Sequence, residues 1–150
     1  MYVRWAMRSE KVTVKRQSGA DQELLLIQPR RSGLRRDFFL AMQTGFTELA
    51  RFNLTTHQYR IVIYLLSKME YNNIFRGSQA SIANALGMKQ PHVSKAIKEL
   101  ASKGIVFKEK DDTGRYVRVN AVIAWKGDTV GHEFSDRFDQ DAGMLLTDPP

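Results

Sequence analysis

Apolar side chains crowd most densely between Leu54 and Met69, where Tyr59, Ile61, Val62, Ile63, Leu65, Leu66 and Met69 follow one another closely. A run that is apolar nearly all round predicts the central buried helix of a domain. Its start is marked by Thr55-Thr56-His57-Gln58. This is a capping box: the Thr55 hydroxyl accepts from the Gln58 amide, and the Gln58 side chain reaches back. Leu54 and Tyr59 stand at the flanking staple positions. His57, in the first turn, reads as a polar surface group. Upstream, Phe39, Met42, Phe46 and Leu49 fall at i, i+3, i+7 and i+10, one face of an extra N-terminal helix starting near Asp37. Gly45 weakens its middle by about 1 kcal/mol relative to Ala. Asp37 to Leu40 reads equally well as the end of a strand. The stripe has two uses open to it: packing on the core, or pairing two subunits into a homodimer through Phe39, Met42, Phe46 and Leu49.

Downstream of the central helix the periods shorten. Tyr71-Asn72-Asn73 ends it in a turn, and Ile74-Phe75-Arg76 predicts a brief strand. Ser78 caps a helix from Gln79 to Leu86, and Gly87 ends it in the left-handed conformation. A second helix runs from Lys89 to Lys103 and stops at Gly104. Two β-prone runs, Ile105 to Lys110 and Arg115 to Asn120, then flank Asp111-Asp112-Thr113-Gly114 and predict a hairpin. Lys108, Lys110, Arg115 and Arg118 are assigned to its tip.

The flanks carry weaker patterns. Residues 1–22 are polar and patternless and read as a flexible basic arm with Lys11, Lys15 and Arg16. Glu23 to Gln28 is a short apolar run stopped by Pro29, an edge strand. Arg30, Arg31, Arg35 and Arg36 surround Ser32-Gly33 as a basic linker. After Lys126-Gly127-Asp128 the apolar period fades, although Phe134, Phe138, Met144, Leu145 and Leu146 recur. That segment reads as an acidic tail with room for one short helix. The chain thus divides into an arm and short strand over 1–35, a body over 36–128 and a tail over 129–150.

The order helix, short strand, helix, helix, hairpin is that of a winged helix-turn-helix, an α+β fold that is mainly α with a two-stranded wing. Spacing within the two-helix unit agrees. Gln79, Ala83, Gly87 and Val93 occupy its positions 1, 5, 9 and 15. Ala83 is small where the second helix crosses, and Gly87 supplies a tight turn at positive φ. Ile82, Leu86, Val93, Ile97 and Leu100 fill the shared core. That leaves Gln90, His92, Ser94, Lys95 and Lys98 on the outer face of the second helix, with no acid before Glu99. A helix of this kind fits the major groove with its first turn at the base edges. Gln pairs bidentately with adenine, Lys favours guanine, and Ser94 suits a phosphate. The DNA-contacting set is Ser78, Gln79, Lys89, Gln90, His92, Ser94, Lys95, Lys98, Lys110, Arg115 and Arg118.

Charge strengthens that reading. The chain of 150 residues carries +7 overall, but residues 127–150 hold six acids and one base, a net −5, so residues 1–126 carry +12. A basic body with an acidic tail points to a polyanionic partner for the body. There is no cysteine, hence no disulfide framework and no thiolate metal site, in keeping with a reducing cytoplasm. No apolar run approaches the roughly 20 residues of a membrane helix, and the N-terminus lacks the pattern of a signal peptide.

Enzyme chemistry finds little to stand on. His57, His92 and His132 stand apart in the sequence, with no His-x-His pair for a metal-dependent nickase, and the phosphate-cradling G-x-x-x-x-G-K-[ST] loop is missing. Nothing near Tyr59, Tyr64, Tyr71 or Tyr116 would activate a nucleophile. The expectation is a non-enzyme without metal or cofactor.

The stretch from Leu65 to Asp128 resembles the RepL-type plasmid replication proteins. The resemblance rests on Met69-Glu70-Tyr71-Asn72-Asn73 before the two-helix unit, and on Tyr116-Val117-Arg118-Val119-Asn120 followed by Trp125-Lys126-Gly127-Asp128. It covers about 90 residues when the helix from Asp37 is included, and leaves out the first 30 and last 20. It implies an initiator that binds double-stranded origin DNA, supports plasmid copy control and recruits host replication proteins without catalysis. Two departures stand out: Lys89 replaces the usual Ser/Thr cap of the recognition helix, and Pro91 sits in its first turn. Competing readings of the same pattern are a MarR-like winged-helix transcriptional regulator and a winged-helix protein-interaction module.

Overall fold

The computed structural model of the protein describes residues 8–15, 21–28, 38–128 and 132–145. The chain divides into two units, Met1–Phe38 and Phe39–Pro150. In the first, β1 (Arg8–Lys15) pairs antiparallel with β2 (Asp21–Gln28), from Arg8 opposite Gln28 to Lys15 opposite Asp21. The expected edge strand is therefore present, but the arm before it is not patternless. Val12-Thr13-Val14 is a short β-branched run, and β-branched residues favour a pleated strand. Arg16, Pro29 and the basic linker with Arg30, Arg31, Arg35 and Arg36 lie outside the described residues, as does Leu146.

The second unit is mixed α+β with small antiparallel sheets. β3 (Leu40–Ala41) pairs with β7 (Ala124–Trp125), and α1 (Gln43–Arg51) follows at once. Of the two readings of Asp37 to Leu40, helix start or strand end, the strand end holds at Leu40, and Asp37 lies outside the described residues. Leu40 is held in a ladder opposite Trp125, and the Met42 amide donates to the Ile123 carbonyl at 3.0 Å, so Phe39 and Met42 precede the helix. Gly45 also has a reason: α1 lies so close to the 122–123 backbone that a Cβ there would collide with the Val122 carbonyl. The four residues of the stripe do not share one helix face. Leu49 is in the core, Phe39 packs against it, and Phe46 alone of the four is exposed.

α2 (Thr56–Lys68) begins with the expected capping box, with Gln58 N–H to Thr55 Oγ1 at 3.3 Å and Thr55 N–H to Gln58 Oε1 at 2.9 Å. Ile61, Val62, Leu65 and Leu66 are buried, whereas Ile63 is 64% exposed, so the helix is central but wet on one side. A 3-10 turn, Tyr71–Asn73, places Asn72 and Asn73 at φ near +60°. Asparagine tolerates that region better than most residues. Asn73 is fully buried. Its amide donates to Val119 O at 3.0 Å and Ala124 O at 2.6 Å, and accepts from Lys126 N–H at 2.8 Å, tying three segments together.

β4 (Ile74–Phe75) leads to α3 (Gln79–Leu86), capped by Ser78 Oγ accepting from Ser81 N–H at 3.0 Å. Gly87 ends it at φ 63°, ψ 35°. α4 (Gln90–Ser102) then starts at Lys89 without a side-chain cap and carries Pro91 in its first turn, where the missing N–H has no helical partner. β5 (Val106–Asp111) and β6 (Gly114–Val119) form the hairpin, and β4 adds to β6, for the strand order β4-β6-β5. Ile82, Ala83, Val93, Ile97 and Leu100 meet Ile61, Leu65, Phe75, Ile105 and Val119 in one core. Each large aliphatic side chain buried there contributes about 1.5–3 kcal/mol.

The acidic C-terminal segment is not a trailing tail. It contains α5 (His132–Ala142), and Asp141 near its end is buried. Phe134 packs on Trp125 with ring centroids 5.4 Å apart, and Phe138 on Phe134 at 5.9 Å.

Candidate nucleic-acid interface

α4 is sharply two-faced. Val93, Ala96, Ile97 and Leu100 are buried, and Gln90, His92, Ser94, Lys95 and Lys98 are exposed, with Lys89 exposed just before them. The core contacts thus fix the rotation of the helix, and five of the sequence-predicted side chains share its wet face. From Gln90 to Lys98 that face extends about 12 Å along the axis, a length comparable with the width of a major groove. Lys95 Nζ lies 3.9 Å from Glu99 Oε1, a loose pair with side-chain exposures of 79% and 42%. Glu99 also accepts from Gln58 of α2, which ties this helix to the central one.

His57 and His92 are not apart in space. Their rings meet edge to face at 5.9 Å, placing the first turn of α2 beside the first turn of α4. The 34 residues of intervening chain hid that pairing from sequence reasoning.

A second group gathers where α3 starts. Arg76, Gly77, Ser78 and Gln79 face Lys108, Lys110, Arg115 and Tyr116 of the hairpin across a cleft of about 620 Å³. Ser78, Gln79, Lys110 and Arg115, four of the side chains singled out in the sequence, are therefore brought together. Arg76 and Tyr116 were missed. Arg76 binds Asp111 through both Nη atoms, at 3.2 and 2.5 Å, donates to Thr113 Oγ1 at 2.6 Å, and stacks over the Tyr116 ring at 5.0 Å. Arg76, then Thr113, holds the Asp111 carboxyl well below the usual carboxylate range, and the same bond raises the Arg76 pKa. Burial, aided by the hydrogen bond from its hydroxyl to Glu109, pushes the Tyr116 phenol up.

Arg118 does not belong to this surface. The hairpin sorts its side chains by alternation. Lys108, Lys110 and Arg115 are exposed, while Phe107, Glu109, Asp111 and Tyr116 are partly covered and Arg118 is buried. Its guanidinium forms a fork with Asp141 at 2.6 and 3.0 Å and reaches Glu109 at 3.0 Å. Burial opposes its charge, but Asp141 and then Glu109 outweigh that, so its pKa is raised. Arg118 also lies opposite Phe107 at the root of the hairpin, away from the turn.

Among the described residues, no three His, Asp or Glu side chains converge as a metal site would require. No helix among them is long and apolar enough to cross a membrane. No family model, curated protein or solved structure matches the chain.

Proposed function

We propose that residues 39–128 act as a winged helix-turn-helix that binds double-stranded DNA sequence-specifically, and that the protein is a non-catalytic plasmid replication initiator of the RepL type. The observation that carries the DNA reading is the division of α4. Its inner face is locked into the core, and its outer face offers Gln90, His92, Ser94, Lys95 and Lys98 to solvent. The basic cleft between α3 and the hairpin supplies backbone contacts through Lys110 and Arg115. The initiator reading draws on the flanking motifs around the two-helix unit. It implies cytoplasmic action with host replication proteins, and Arg118 drops out of the DNA-contacting set.

The test is binding across salt concentrations. If about five phosphates are neutralised, log affinity falls with log salt at a slope near −4 to −5. A flat response, or no binding to any duplex, refutes DNA binding and favours a protein-interaction domain. A plasmid-maintenance assay tests initiation. A protein that binds DNA but supports no origin is a regulator instead.

A further inference from the structure

Five side chains on one face of the hairpin, Phe107, Glu109, Asp111, Tyr116 and Arg118, join Asp141 and Arg76 in a continuous chain of contacts. Its far end is α5. Asp141 binds the Arg118 guanidinium through both oxygens at 2.6 and 3.0 Å, and also accepts from the Ala121 amide at 2.8 Å. Arg118 lies over the Phe107 ring at 4.5 Å and donates to Glu109 at 3.0 Å. Glu109 accepts from the Tyr116 hydroxyl at 2.9 Å, and Tyr116 carries Arg76 on its ring. Arg76 closes the chain on Asp111, beside the hairpin turn. Lys110 and Arg115 stand opposite each other in the same ladder, next to Asp111 and Gly114.

We infer that Asp141 is a positioning residue for the wing: docked on Arg118 and acting through Glu109, it holds the hairpin where Lys110 and Arg115 meet the DNA backbone. The inference rests on the DNA-binding reading. α5 is seated firmly enough for this role. Asn120 bridges the Asp141 carbonyl at 3.2 Å and the Gly104 carbonyl at 2.9 Å, and a Cβ at Gly104 would collide with the Met144 carbonyl. A two-stranded hairpin is marginal alone. Only the two-residue β4 flanks it in the sheet, so side-chain contacts at its root decide how rigidly it projects. With an amide at position 141 in place of the carboxylate, Arg118 would be a nearly dry cation left with Glu109, the partly exposed acid it shares with Tyr116.

Net charge and positioning predict opposite signs, which makes the inference testable. Removing an acid from a DNA-binding protein raises affinity if only overall charge matters. Positioning predicts a loss. Asp141→Asn in the full chain should weaken duplex binding about fivefold, the scale of one lost phosphate contact, and lower the salt slope by about one. Combined with Arg115→Ala it should add little, because the two changes remove the same contact. Amide hydrogen exchange should quicken in β5 and β6 while α2 and α4 keep their protection. Glu109→Gln leaves α5 docked and should give the same pattern, which covers the case in which Asp141→Asn fails to fold.

Unchanged hairpin exchange, exchange that quickens uniformly across the unit, or affinity that rises in both variants would each overturn the inference. A loosened hairpin in a protein whose wild type binds no duplex would overturn the DNA reading and leave the positioning of the hairpin standing.

Discussion

Gln90 and Lys95 should read bases, and Lys98 and Arg115 should hold the backbone. All four side chains are exposed, so their loss leaves the core intact, and surface substitutions of this kind shift stability by about 0.5 kcal/mol or less. Lys95 is only loosely engaged: 3.9 Å from Glu99 and 79% exposed, in a pair worth about 0–1 kcal/mol. Breaking that pair to make a DNA contact would cost little. A good base contact is worth about 1–3 kcal/mol of discrimination, or about 5- to 150-fold in affinity. Gln90→Ala and Lys95→Ala should each cost that much on the preferred duplex and far less on random duplex. Lys98→Ala and Arg115→Ala should weaken both duplexes alike and lower the salt slope by about one unit. The preferred site is first selected from a pool of randomised duplexes. Wild type and the four variants are then titrated against selected and random DNA at two salt concentrations. Equal losses on both DNAs for Gln90→Ala and Lys95→Ala would refute base reading by the first turn of α4. A pool that yields no enriched sequence would refute sequence specificity itself.

Ile97→Ala empties a fully buried site where α4 meets the core and should cost about 2–5 kcal/mol in urea unfolding; a midpoint equal to wild type would contradict the packing. Gly45→Ala should destabilise by about 1–3 kcal/mol, because the new methyl meets the Val122 backbone. Helix propensity alone predicts a gain of about 1 kcal/mol, so a raised Tm would show that α1 does not lie that close. Asp111 titrates lower when folded than when unfolded. Its stabilising contribution is therefore whole above the unfolded value of about 3.9, and is lost as pH falls below that toward the folded value. In Tm measured against pH, Asp111→Asn should flatten the slope below about pH 4 and leave the shape above pH 5 unchanged; parallel profiles would show that the Arg76 pair is not the cause.

Local signals were the legible part. The capping box at Thr55, the Ser78 cap and the left-handed Gly87 each depend on residues within four positions of one another, and all three are present. The two-faced α4 follows from its 3.6-residue period in the same way. The misplacement of Arg118 was avoidable. Strand alternation puts it on the opposite face from Arg115, and its even spacing from Tyr116 puts it beside the acids of β5. At Asp37 to Leu40 the sequence left helix start and strand end open: the i, i+3, i+7, i+10 spacing is real, but pairing of Leu40 with Trp125, 85 residues away, selected the strand and took Phe39 and Met42 out of the helix.

By itself the sequence determined the elements of the second unit from Thr55 to Val119, the basic body and the side chains offered by α4, because period, caps and turn residues act through neighbours along the chain. Only the tertiary structure decided what those side chains meet. It brought His57 to His92, drew Arg76 to the hairpin turn, buried Arg118 against Asp141, and seated an acidic helix at the root of the hairpin. Each of those contacts joins residues more than 20 positions apart. Their partners are selected by how helices and strands pack, and no local pattern encodes that choice.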